Sequence, residues 1–195
     1  MEHKLVVKTA IALAILASCG STSKLALTSG CNLQYDVISS QKSVRVDVSL
    51  LQTQTNWDFD YTVQQENLSG KITISKQANL NSNELYHSFN GVNKSLTTST
   101  SLRISDSSYL KLKSGEAVDL SYRIGFVKNT YAYKVVENQK IKYLINGKLK
   151  MLEVLYITDT SDKGLALWVW DNANTPLILR QKLGYEMVLK EISIP

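Results

Sequence analysis

The side chains in this chain that are of a type to do chemistry are few: Cys19, Cys31, His87, the pair Asp58 and Asp60, and the pair Trp168 and Trp170. Cys19 closes the run Leu16-Ala17-Ser18-Cys19, a thiol directly behind small residues. Asp58 and Asp60 fall on one face of an alternating stretch, and two carboxylates at a suitable separation can divide acid and base roles. Acids on a solvated strand face have the same spacing, however, and no third polar group accompanies these two. Of the two histidines, His3 sits in the leader-like first segment, so His87 stands alone beside Tyr86 in a polar stretch and reads as a surface or turn residue. There is no G-x-S-x-G elbow for a nucleophile. Zinc takes four ligands, and one His with one Cys does not supply them. Gly91, Gly115, Gly125, Gly147 and Gly164 stand singly, unlike the clustered glycines of a phosphate loop. The expectation is no catalytic residue, no metal site, no cofactor and therefore no enzyme.

The elements around these residues begin with an address. Lys4 and Lys8, then the apolar run 10–17, then small residues, match a secretory signal: a positive start, about 7 to 15 apolar residues and a small-residue cut site. The stretch 5–18 is 14 residues long and is interrupted by Lys8, too short for a bilayer span, which takes about 20 apolar residues. The A-x-A patterns at 10–12 and 12–14 lie inside the apolar run, where ordinary cleavage would be poorly placed.

The run Leu16-Ala17-Ser18-Cys19 resembles the lipobox of bacterial lipoproteins. That resemblance implies cleavage before Cys19, a diacylglyceryl thioether on its sulfur and a further acyl group, such as palmitate, on the freed amine. One acyl chain anchors marginally, whereas two or more hold firmly at about 0.8 kcal/mol per buried methylene. By the same resemblance, Gly20 in place of an Asp, and no acid before Asp36, imply an outer-membrane anchor facing the periplasm. Residues 1–18 are thus a signal peptide, 19–42 a lipidated N-terminus and tether, and 43–195 a periplasmic domain.

Removing the leader's 18 residues from 195 leaves 177, enough for one domain with a real core. The formal charge falls from +5 to +4 as Lys4, Lys8 and Glu2 leave. Lys111 with Lys113, Lys140 with Lys142, and Lys148 with Lys150 alternate along the chain, the pattern of solvated strand faces, so nucleic acid is not an expected partner. With Cys19 lipidated, Cys31 has no partner and no disulfide framework forms.

Beyond 42 the period is two. Val44, Val46, Val48 and Leu50 alternate with polar residues, as do Trp57, Phe59, Tyr61 and Val63. Similar runs recur at 72–74, 118–126, 131–136, 140–145, 148–158, 165–170, 177–181 and 185–194. Asn146-Gly147 between two of them is a type I′ hairpin signal. Two short helices are expected, one loosely patterned over 78–89 and one capped by Ser105 and running through Leu112 to Gly115. The fold class is mainly β: a single strongly curved antiparallel sheet or half-barrel with one or two short helices.

Trp168 and Trp170 share a face of a strand whose other face carries Leu165, Leu167 and Val169. Such a strand is either a core strand covered on both sides or the wall of an apolar groove. The stretch 167–179, from Leu167-Trp168-Val169-Trp170-Asp171-Asn172 to Pro176-Leu177-Ile178-Leu179, with 183–192 after it, resembles the ending of an uncharacterised family of β-rich bacterial periplasmic proteins. The resemblance covers about 55–194 and implies an architecture distantly similar to the curved half-barrels of envelope lipoprotein carriers. The expected role is a non-catalytic hydrophobic-ligand or protein-binding module, with Trp168 and Trp170 as ligand-binding candidates. The alternative is an envelope scaffold or assembly lipoprotein acting through protein–protein contacts.

Overall fold

The computed structural model describes residues 25–52, 56–124 and 127–195. Its strands are β1 (Asn32–Ile38), β2 (Ser43–Gln52), β3 (Trp57–Val63), β4 (Leu68–Ile74), β5 (Glu84–Leu85), β6 (Lys94–Leu96), β7 (Val118–Ile124), β8 (Val127–Ile145), β9 (Lys148–Asp159), β10 (Ala166–Trp170), β11 (Ile178–Lys182) and β12 (Glu186–Ser193). All belong to one sheet, in the order β5-β7-β8-β9-β10-β11-β12-β1-β2-β3-β4-β6. The mainly β, curved single sheet read from the periodicity is the architecture found. It is antiparallel apart from β4–β6, β5–β7 and a short parallel pairing of β8 with β12. That last pairing joins β8, β9, β10, β11 and β12 into a closed circuit, so half of the sheet curls back on itself.

Most strands lie where alternation places them, because burial of every second side chain favours a pleated segment over a helix. On β3, Trp57, Phe59, Tyr61 and Val63 are buried while Asp60 is exposed. The hairpin at Asn146-Gly147 has positive φ at both positions, 49° and 69°, as a type I′ turn demands. Gly70, opposite Tyr61 on β4, serves a close approach: a Cβ there would lie 2.7 Å from the tyrosine oxygen. The Tyr61 hydroxyl in turn accepts from Gly91 N at 2.9 Å and donates to Val92 O at 3.3 Å, tying the 90–92 turn to the sheet.

Three expectations are corrected. The stretch 19–42 is not tether throughout, since β1 pairs with β12 on one side and β2 on the other, in the interior of the sheet. The alternation of Leu33, Tyr35 and Val37 carried that signal; Leu33 and Tyr35 are fully buried, and the tyrosine hydroxyl donates to Ile178 O at 3.0 Å. The runs 131–136 and 140–145 are one strand: β8 stays extended through a bulge between Val135 and Glu137 because β9 pairs along 133–145. The helical reading of 78–89 shrinks to α1 (Lys76–Asn81), capped by the Ser75 hydroxyl accepting from Ala78 N, and the chain then enters β5.

The second helix, α2 (Asp106–Lys113), has the expected cap: Ser105 Oγ accepts from Ser108 N at 3.2 Å, and Asp106 sits in the first turn. Such a cap stabilises a helix by about 1 kcal/mol, and first-turn acids and last-turn lysines suit the helix dipole. Tyr109 donates to Asp171 at 2.5 Å and Lys113 pairs with the same carboxylate, fixing α2 against the turn that follows β10.

The core runs through Trp57, Phe59, Ile72, Ile74, Tyr35, Ile157, Leu167 and Leu179, all essentially inaccessible. Arg103 is also buried, with its guanidinium 5.4 Å from the Trp57 ring centroid and paired to Asp106. Burial alone pulls its pKa down, and Asp106 opposes that, so the charge is held by an ion pair and an aromatic face rather than by water. Among the described residues, no helix is long and apolar enough to cross a membrane.

Candidate functional site

The two tryptophans of β10 part company. Both face the same side of the β9–β10 ladder, Trp168 opposite Tyr156 and Trp170 opposite Val154. Trp170 is buried, its backbone N–H donating to Leu177 O at 2.8 Å, and it is a core residue. Trp168 is only partly buried. Its indole lies 4.8 Å from the Tyr156 ring, and the Arg180 guanidinium sits 4.6 Å above it. A row of cross-strand neighbours, Tyr156, Trp168, Arg180 and Val188, thus spans β9 to β12.

Trp168 forms part of a cleft of about 340 Å³. β8 supplies Ile141, Lys142, Tyr143 and Leu144, the start of β9 supplies Leu149, and β11 and β12 supply Arg180, Val188, Leu189 and Lys190. The cleft exists because β8 and β12 pair only at Leu144–Ile145 with Glu191–Ile192, and beside that pairing the two strands part. Its volume is at the low end of the roughly 300 to 1,000 Å³ typical of ligand pockets. Leu149 remains 68% exposed and Met151, two residues on, 53% exposed, so apolar surface continues out of the cleft along β9.

The electrostatics there are one-sided. Lys142, Arg180 and Lys190 line the cleft, and among the described residues no carboxylate does. Arg180 pairs with Glu186 through Nε and Nη2, which helps hold the guanidinium over Trp168, and Lys190 lies 3.7 Å from Asp36. Burial pushes the Tyr143 hydroxyl up to about 12, with Arg180 pulling the other way, so it stays protonated and neutral near pH 7.

The remaining candidates fall elsewhere. Cys19 and the signal segment lie outside the described residues. Cys31 is fully buried, and its sulfur accepts from Thr28 N at 3.3 Å, which makes it a packing residue of the turn before β1. Asp58, partly buried opposite Thr73, and Asp60, exposed opposite Lys71, share a face of β3, and neither has an ion-pair partner among the described residues. No group of three or more His, Cys, Asp or Glu that could hold a metal occurs among the described residues. A second, polar hollow of about 370 Å³ lies between α1, α2 and the start of β7, lined by Asn81, Asn83, Ser107, Ser108, Lys111 and Asp119.

His87 is not the surface residue its polar neighbours suggest. Its imidazole packs edge-to-face with Tyr122 at 6.2 Å and Tyr185 at 6.3 Å, and Nε2 is enclosed with no hydrogen-bond partner among the described residues. Burial therefore lowers its pKa to about 4. The partners come from β7 and from the turn before β12, almost a hundred positions away at the far end, so nothing local announces them. A folded-state pKa below the unfolded value of about 6.5 means that unfolded chain binds the proton first. The stabilisation from this neutral imidazole is full above about 6.5 and is lost as pH drops toward 4. Chemical denaturation at stepped pH should show this slope in the native chain, and His87→Phe should remove that component while leaving the general acid loss from carboxylates.

Comparison with protein-family models, with curated proteins and with solved structures finds no match to this chain.

Proposed function

We propose that this chain is a lipid-anchored protein of the bacterial envelope, held at the outer membrane through Cys19, facing the periplasm, and working as a non-catalytic binding module for a hydrophobic ligand at the Trp168 cleft. The supporting observation is the split between the tryptophans: Trp170 fills core, whereas Trp168 is left half open beside a cleft whose walls are mostly apolar. An indole that could have been covered instead shares the cleft with exposed Leu149, and exposed apolar surface of that kind marks interaction sites.

The chain's tryptophans number three, and Trp57 and Trp170 are buried, which makes emission a specific probe of the cleft. Titration with an acyl ligand should shift or quench emission in the native chain, and Trp168→Phe should abolish the change while preserving the far-UV spectrum. Native mass spectrometry of protein from its own host should find a bound apolar molecule. An unresponsive Trp168 together with ligand-free protein would dismiss the reading.

One observation favours the scaffold alternative. The nominal ends of the sheet, β5 and β6, are two and three residues long, and β5 is bridged to Thr100. The longer open edge is internal: on the side away from β9, β8 pairs with β7 up to Tyr133 and with β12 from Leu144, leaving 134–143 without a strand partner among the described residues. An unpaired edge of that length can accept an added strand. A photocrosslinker at Asn138 trapping one protein partner in cells, with a silent cleft, would favour this reading.

A further inference from the structure

The charge in the cleft goes further than its apolarity. Three cations meet there, yet they are not equally engaged. Lys142 has no acidic partner among the described residues, Lys190 reaches Asp36 only at 3.7 Å, and Arg180 gives Glu186 its Nε and Nη2 edges. Nη1 of Arg180, with two N–H donors, has no partner among the described residues. Held by Glu186 and lying 4.6 Å from the Trp168 ring, that guanidinium has limited freedom, and it lines the same cleft as the apolar Ile141, Leu149 and Val188. Preorganised donors lose little entropy on binding, and a charge-assisted hydrogen bond is about twice as strong as a neutral one.

A neutral apolar ligand would leave these cations desolvated with nothing gained in return, and a cationic one would be repelled. A free small anion would use the donors but not the indole or the exposed leucine and methionine beyond it. We infer that the cleft takes a single-chain anionic amphiphile, its charged head between Arg180 and Lys142 and its first carbons along Trp168 and Leu149, an inference that rests on the binding reading above. The cleft's volume suits a head and the beginning of a chain, with the rest lying along β9 toward Met151.

The test uses residues 19–195 with Cys19→Ser, made without the apolar leader, so that the chain carries no acyl group of its own. Decanoate, decanol, decyltrimethylammonium and acetate are titrated by Trp168 emission and calorimetry below their aggregation concentrations. Decanoate should bind about tenfold or more tightly than decanol or the decyl cation, an advantage that shrinks at high salt. Lys142→Gln, at an exposed and unpaired position, should cut that preference by a few-fold without affecting decanol, and Arg180→Gln should abolish it. Equal affinity for all three decyl probes would overturn the charge assignment while leaving a hydrophobic site. Acetate binding as tightly as decanoate would overturn the amphiphile and leave a small-anion site. Absence of binding by every probe would overturn both this inference and the reading on which it rests.

Discussion

Trp57→Ala should lower stability by about 3 to 5 kcal/mol, the range for removing a large aromatic from a core that cannot collapse around the gap. Trp57 is wholly inaccessible on β3, between β2 and β4, and it carries a second burden: Arg103, itself buried, lies against its ring. Truncation therefore opens a cavity and also strips an aromatic face from a guanidinium that water does not reach. For a domain of this size each kcal/mol moves the melting temperature by about 2 to 4 °C, so a fall of roughly 6 to 20 °C is expected by calorimetry. Trp57→Phe keeps an aromatic face over Arg103 and should lose about half as much. If the two variants melted together within a degree of the native protein, Trp57 and Arg103 would not be the structural pair the geometry describes.

Cys19→Ser should have an all-or-none effect on location. A serine hydroxyl is not a substrate for thioether formation, so labelled palmitate should be absent from the variant and present on the parent, and the variant, given a leader with an ordinary cleavage site, should leave the envelope fraction. Retention of one chain would give only marginal anchoring, whereas loss of all of them removes the driving force. A parent that never takes up label would refute the lipid anchor.

How far the fold is legible in the amino-acid order depends on where each element's partners come from. The period of two in 44–50 and 57–63, the Asn146-Gly147 turn and the Ser105 cap are local properties, and each element appears where its own residues place it. β1 was legible too, in Leu33, Tyr35 and Val37, but its Ser-, Thr- and Gly-rich approach masked a three-residue signal. β5 and β6 are too short to show any period; they are strands only because β7 and β4 offer them an edge.

The candidate site divides in the same way. That β10 is apolar on both faces is written in Leu167, Trp168, Val169 and Trp170. Alternation puts both indoles on one side and cannot say that one meets core while the other meets a cleft. That distinction arises because β8 touches β12 over two residue pairs and then departs, and because Arg180, brought across from β11, occupies the face of Trp168. His87 makes the same point: its polar-looking neighbourhood becomes a ring packed against Tyr122 and Tyr185 with Nε2 enclosed. The sequence by itself determined the β class, the Asn146-Gly147 turn and the Ser105 cap, since these depend on interactions within a few residues. Only the tertiary structure decided which aromatic is open, which histidine is closed and which cations converge, because burial and electric field are set by groups that the chain brings together from far apart.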